Sequence, residues 1–175
     1  REIMEHVMLS PTSFNIQNWR FVVIKSPEQK KKLREAAFNQ AQCEDSSFTV
    51  VFCADLKAAE TDPQRYWRLA PEETRKMIVP MINNFYAGNE SLNHDEALRS
   101  TGIAAQTLML VAREHGYDTC AMVGFDPKKV ADVINLPDNY VISMLVTVGK
   151  KKEDAYPRSG PLPYEEAVFM DTFQR

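Results

Sequence analysis

Ser10-Pro11-Thr12-Ser13-Phe14-Asn15-Ile16-Gln17-Asn18-Trp19 leads without a break into the apolar segment Arg20-Phe21-Val22-Val23-Ile24. Between Pro11 and Trp19 stand Thr12, Ser13, Asn15, Gln17 and Asn18, all polar and none charged. A turn uses only a few such residues. The surplus suits an uncharged partner, because hydroxyls and amides both donate and accept hydrogen bonds.

Upstream, Glu2 to Leu9 places Ile3, Val7 and either Met4 or Met8 on one helical face. No Ser, Thr, Asp or Asn precedes it as a cap, and the chain begins at Arg1. The pattern is that of a helix entered in its middle, so an earlier segment is expected. Downstream, residues 20–25 form a predicted strand. Ser26-Pro27-Glu28-Gln29 then supplies a cap, a proline at the first helical position and a Gln three residues after the cap, starting a helix that runs to about Ala37. Thr49 to Ala54 is the continuous run expected of a strand covered on both faces.

Residues 55–95 are polar and charged, with Tyr66, Trp67, Phe85 and Tyr86 among them. Met77 to Phe85 belongs to a helix that Pro80 is expected to kink or interrupt. This segment is either a helical excursion that acts as a lid over a site or an ordinary surface hairpin. Asn93 and Glu96 make a capping-box-like start for the longest helix, about 95–115, which ends at Gly116. From Ile103 to Ala112 that helix is apolar on nearly every face, as expected of one buried all round, in part by a second subunit. Gln106 is its polar exception, either a core amide or a cofactor contact. Thr119 to Val123 leads into Gly124-Phe125, Asp126-Pro127 caps a helix to about Asn135, and Val141 to Val148 is a final strand. Helices alternating with buried strands give an α/β or α+β class with helices on both sheet faces.

With 175 residues and 44% hydrophobic content, a single domain over residues 1–175 is expected. The net charge of −3 leaves no basic excess for a nucleic-acid backbone. Cys43, Cys53 and Cys120 fall in no C-x-x-C spacing, and His6, His94 and His115 lie far apart. That pattern argues against a disulfide framework or a metal site and for a reducing, cytoplasmic compartment. No apolar run has the length of a membrane span. G-x-G-x-x-G, P-loop, G-x-S-x-G and H-E-x-x-H motifs are missing, so the chemistry of an enzyme built on this chain falls to a bound cofactor.

Residues 10–23 resemble the P-S-S-x-N-x-Q-P-W segment and first strand of the FMN-dependent nitroreductase family, with Asn18 where the family has Pro. Asn39-Gln40-Ala41-Gln42, ahead of the Thr49–Ala54 strand, is similar to the family's Asn followed three residues later by Lys or Gln. Val123-Gly124-Phe125-Asp126 resembles its E-G-F-D loop, and Arg158 resembles the basic residue before its C-terminal extension. The resemblance implies an α+β, three-layer α/β/α fold with a mixed, mainly antiparallel sheet. It also implies a homodimer with two shared sites. The activity it implies is that of an FMN-dependent NAD(P)H oxidoreductase reducing nitroaromatic or quinone-type acceptors by ping-pong hydride transfer. The alternatives are a flavin-binding protein without turnover, or a relative with other flavin chemistry such as dehalogenation or dehydrogenation.

On that resemblance the cofactor-binding residues are Pro11, Thr12, Ser13, Asn15, Gln17, Asn39, Gln42, Val123, Gly124 and Arg158, with no catalytic side chain and no metal ligand. The amides of Asn15, Asn39 and Gln42 suit the mixed donor and acceptor edge of the flavin ring. The hydroxyls of Thr12 and Ser13 suit ribityl or phosphate oxygens, Gly124 permits close backbone approach, and Arg158 can grip phosphate bidentately. Each also has an ordinary structural reading: Thr12 and Ser13 in a turn, Asn39 at a helix C-cap, Gly124 at a strand end, Arg158 on the surface. The family's Arg-Arg-Ser-type phosphate motif would precede Arg1. Gln42 is neutral where some members carry Lys, which implies a lower flavin potential.

Overall fold

A computed structural model describes residues 1–173. Four strands form one sheet in the order β1-β2-β4-β3, with β1 at Trp19–Ile24, β2 at Phe48–Asp55, β3 at Asp118–Met122 and β4 at Tyr140–Gly149. All pairings among the described residues are antiparallel; the parallel component of a mixed sheet is not among them. The β2–β4 register slips between Phe52 and Cys53, a bulge that twists the sheet locally.

The continuous run in β2 has a simple cause. Val50 and Phe52 point to one face and join Trp19, Val146 and Val148 against α1 (Glu2–Val7) and the long helix described below. Val51 and Cys53 point to the other and join Leu145, Leu33 and Val130 under α2 (Pro27–Ala36). Both faces are therefore covered, giving the three layers of an α+β fold. Each fully buried Val, Leu or Phe in these layers contributes roughly 1.5–3 kcal/mol.

Two of the three predicted N-caps form. The Ser26 hydroxyl accepts from the Gln29 N–H at 3.3 Å. The Asp126 carboxylate accepts from Lys128 and Lys129 N–H groups, at the start of the helix Pro127–Ile134. After α2 come the short helices α3 (Gln42–Asp45) and α4 (Ala58–Thr61), then α5 (Glu72–Tyr86) and α6 (Glu90–Glu114). The Pro127–Ile134 helix is α7, and α8 (Tyr164–Ala167) lies in the exposed tail.

Two expectations are corrected. Pro80 does not interrupt its helix: α5 begins at Glu72 and continues through Pro80 to Tyr86. The longest helix starts at Glu90, because Asn89, not Asn93, accepts the capping bond from the Leu92 N–H at 3.0 Å. Asn93 is buried and donates instead to the Tyr86 carbonyl at 3.2 Å. Within one chain, residues 103–112 of α6 bury Ala104, Ala105, Leu108 and Ala112 and leave Ile103 and Leu110 44% and 63% exposed. Gln106 is exposed, so it is not a core amide. No helix of the described residues is long and apolar enough to cross a membrane.

Candidate functional site

The polar loop after α1 is wound tightly. Residues Ser13–Asn15 form a 3-10 turn in which Phe14, Asn15 and, just beyond, Gln17 all adopt positive φ (49°, 54° and 42°). Left-handed backbone at non-glycine residues costs about 1–2 kcal/mol per residue and persists only where surroundings hold it. Here the surroundings are visible. Thr12 Oγ1 accepts from the Gln17 N–H at 2.9 Å, and the Trp67 indole N–H donates to the Phe14 carbonyl at 2.9 Å. Asn15 Nδ2 donates to the Tyr66 carbonyl at 3.0 Å, and the Phe14 ring lies 5.6 Å from Phe85 and 6.1 Å from Tyr86.

The 55–95 segment thus has its own apolar cluster, Ile16, Ala59, Ile82 and Tyr86 with Phe14 and Trp67 against it, and it is fastened to the polar loop. Glu96, expected as a capping-box partner, instead accepts from the Ser13 N–H at 3.4 Å and the Ser100 hydroxyl at 3.1 Å. The buried Tyr86 hydroxyl has no hydrogen-bond partner among the described residues. Burial pushes its pKa up; Ser13 opposes the shift, Glu96 adds to it and Arg99 opposes it.

A second set of predicted residues meets elsewhere. α2 ends with Phe38 and Asn39 at positive φ (53° and 60°), and the Asn39 N–H returns to the Arg34 carbonyl at 2.9 Å, closing the helix as a C-cap. Arg34 Nε also donates to the Asn39 carbonyl at 3.3 Å, which fixes that turn. From across the fold, the Asp126 N–H donates to the Ala36 carbonyl at 2.9 Å and brings Val123-Gly124 alongside. Gln40 joins the two: its Nε2 donates to the Gly124 carbonyl at 2.6 Å and the Ala37 carbonyl at 3.1 Å, and its Oε1 accepts from Gln42 Nε2 at 3.1 Å. Gln40 sits inside the Asn39–Gln42 quartet, but its bond to Gly124 spans 84 positions and has no local sequence signal.

What remains free there is chemically telling. The Gly124 N–H, the Asn39 side-chain amide and Gln42 Oε1 have no partners among the described residues. Beside them Phe38 and Val123 are 66% and 76% exposed. Unspent donors and an acceptor flanked by exposed apolar groups fit the edge and face of a flavin ring. A Cβ on Gly124 would come 3.3 Å from Gln40 Nε2, so the close approach there already uses the missing side chain.

The structure therefore gathers Asn39, Gln42, Val123 and Gly124 in one place, and Pro11, Thr12, Ser13, Asn15 and Gln17 in another. No hydrogen bond joins the two sets among the described residues. Arg158 lies in the exposed coil before α8 and joins neither set. Asn18 is buried, and its backbone carbonyl accepts from the Asp55 N–H at 2.7 Å.

A family model described as the nitroreductase family matches residues 1–150. Protein DrgA of Synechocystis sp. is 47% identical over 155 residues, covering 89% of this chain and 74% of that protein. MhqN of Bacillus subtilis, described as an NAD(P)H nitroreductase, is 32% identical over 174 residues, 95% of this chain and 84% of its own. A protein of Exiguobacterium sibiricum described as a nitroreductase, with a crystal structure in complex with FMN, matches with a TM-score of 0.90 and 36% identity over 97% of this chain and 84% of that one.

Proposed function

The chain belongs to the nitroreductase family, and from that membership we propose an FMN-dependent NAD(P)H oxidoreductase that reduces nitroaromatic or quinone-type acceptors. The relative described as an NAD(P)H nitroreductase and the neighbour solved with FMN support the cofactor and the co-substrate. Bound FMN supplies the hydride chemistry, taking electrons from a nicotinamide and yielding them to an acceptor. The observation that carries the assignment is the free Gly124 N–H beside the amides of Asn39 and Gln42.

In this proposal the chain's residues bind and orient. Gly124, with Val123, and the amides of Asn39 and Gln42 hold the ring edge. Pro11, Thr12, Ser13, Asn15 and Gln17 supply a second wall, and Arg158 a phosphate grip. Phe38, presented by its left-handed backbone, covers apolar ring surface. The two small-molecule substrates take turns at one place, a ping-pong order for which parallel double-reciprocal lines are expected. Cys43, Cys53 and Cys120 are free thiols, in keeping with a cytoplasmic setting.

The second wall is assigned to a partner chain, making a homodimer with shared sites. Two features support this. No hydrogen bond joins the polar loop to Asn39 or Gly124 within one chain, and Met8, Leu9, Ile103 and Leu110 form exposed apolar surface near α1 and α6. Co-expression of Asn15→Ala chains with Gly124→Val chains tests it. Mixed dimers that regain one FMN site are expected; no recovery above either parent sinks the shared site. Anaerobic mixing with NADH and with NADPH tests the activity. Bleaching of the flavin absorbance by at least one is expected, and none with either overturns the function.

A further inference from the structure

Beside Gln17 lies a cavity of about 310 Å³ bounded by Gln17, Trp19, Arg20, Arg65, Tyr66 and Arg68, among others. No Asp or Glu is among its lining residues, in a chain of net charge −3. Arg20 is already committed: it donates to the Gln17 and Trp19 carbonyls at 2.6 and 2.8 Å and pairs with Asp55 at 3.5 Å. Arg65 and Arg68 are not. Both are exposed, and neither forms an ion pair among the described residues.

Their recorded contacts leave most guanidinium donors free. Arg65 lies over the Tyr66 ring, 5.6 Å from its centroid, and Arg68 Nη1 donates to the Arg65 carbonyl at 2.9 Å. The buried Trp19 indole N–H, in the same wall, also lacks an acceptor. The cavity at Lys150–Lys152, about 530 Å³, is different, because Asp45, Asp118 and Glu153 line it with the lysines. The cavities at Lys25 and at Arg99 also lack carboxylates but have a single basic residue each, whereas this one gathers Arg20, Arg65 and Arg68 and is continuous with the polar loop through Gln17 and the Asn15–Tyr66 bond.

We propose that Arg65 and Arg68 bind the phosphate groups of the nicotinamide dinucleotide while its reducing end reaches the flavin wall built on residues 12–17. The planar guanidinium fork matches phosphate oxygens, and paired arginines match a pyrophosphate. This rests on the proposed function, since it needs a dinucleotide reductant. The FMN phosphate is the other source of the same chemistry, and the test separates the two.

FMN-loaded wild type and the Arg65→Gln/Arg68→Gln double variant are titrated calorimetrically with NAD⁺, NADP⁺ and inorganic pyrophosphate, with FMN content measured in parallel. Both side chains are exposed, and circular dichroism checks that the variant is folded. The expected result is a dinucleotide Kd raised roughly tenfold per guanidinium lost, with FMN retained. Pyrophosphate competes with the dinucleotide in the wild type and not in the variant, and wild-type affinity weakens with salt. Lysine at both positions restores only part of the affinity, being a point charge without the fork. An unchanged dinucleotide Kd in the double variant overturns the inference, as does loss of FMN, which would assign the arginines to the flavin phosphate. If the wild type binds neither nucleotide and neither NADH nor NADPH bleaches it, the proposed function fails and this inference with it. Bleaching of the wild type together with an unchanged variant Kd sinks this inference alone.

Discussion

Phe38 holds a positive φ of 53° with two-thirds of its surface exposed, so neither backbone preference nor burial explains it. Its neighbour Asn39 carries an unspent amide toward the candidate site. Phe38→Gly removes the left-handed strain and is expected to stabilise the fold by roughly 0.5–1 kcal/mol, offset in part by glycine's chain entropy. The same change should weaken FMN retention, read by fluorescence titration beside urea unfolding; lower stability together with unchanged FMN binding would refute the strain argument. Gln42 supports a second test. Its Oε1 is free, and Gln42→Lys places a cation there. A charge-assisted bond to the reduced ring of about 1–3 kcal/mol corresponds to a rise of about 20–60 mV in the two-electron potential. Potentiometric titration showing no rise would remove Gln42 from the ring edge.

At the scale of elements, α5 continues through Pro80, which has no N–H for the Lys76 carbonyl. Pro80 is exposed, so replacing it costs no buried surface. Pro80→Ala is expected to stabilise the protein by about 1–3 kcal/mol, raising the thermal midpoint. A lower midpoint would mean the proline supports the α5 packing that holds Phe14. Local signals at this scale were readable where their partners are close in sequence. Ser26 and Asp126 cap as predicted because each accepts from N–H groups two or three residues away. Asn93 carries a comparable local signal, with Glu96 three residues on, but does not cap. Its amide is instead spent on Tyr86 seven residues back, and Glu96 on Ser13.

For the whole molecule, burial pushes the Cys43 thiol up to about 11, with Cys120 adding to the shift and Arg34 opposing it, and burial pushes the Cys53 thiol up to about 12. A folded state that keeps these protons while the unfolded chain loses them is fully stabilised by them below the ordinary thiol value. That stabilisation is lost as pH rises toward about 11 and 12. Denaturant midpoints should therefore fall through that alkaline range, and Cys43→Ala/Cys53→Ala protein should show a shallower decline. The three-layer order was legible because β2 alternates its side chains between two cores. The way α6 divides its apolar surface was not. Its stripe of small residues faces the sheet, while Ile103 and Leu110 face outward, a division set by which elements pack against it.

The sequence by itself determined the strands, the capped helices, the covered central strand and the polar character of residues 12–18, since each depends on periodicity or on contacts within one turn. Only the tertiary structure decided which amides are spent and which are free. Gln40 reaches Gly124 across 84 positions and Glu96 reaches Ser13 across 83, and no local pattern announces either bond. It also decided that the 55–95 segment holds the polar loop in left-handed backbone through Trp67, Tyr66 and Phe85. Hydrogen-bond satisfaction and strain are set by whatever the fold brings alongside, and that is a property of packing at long range.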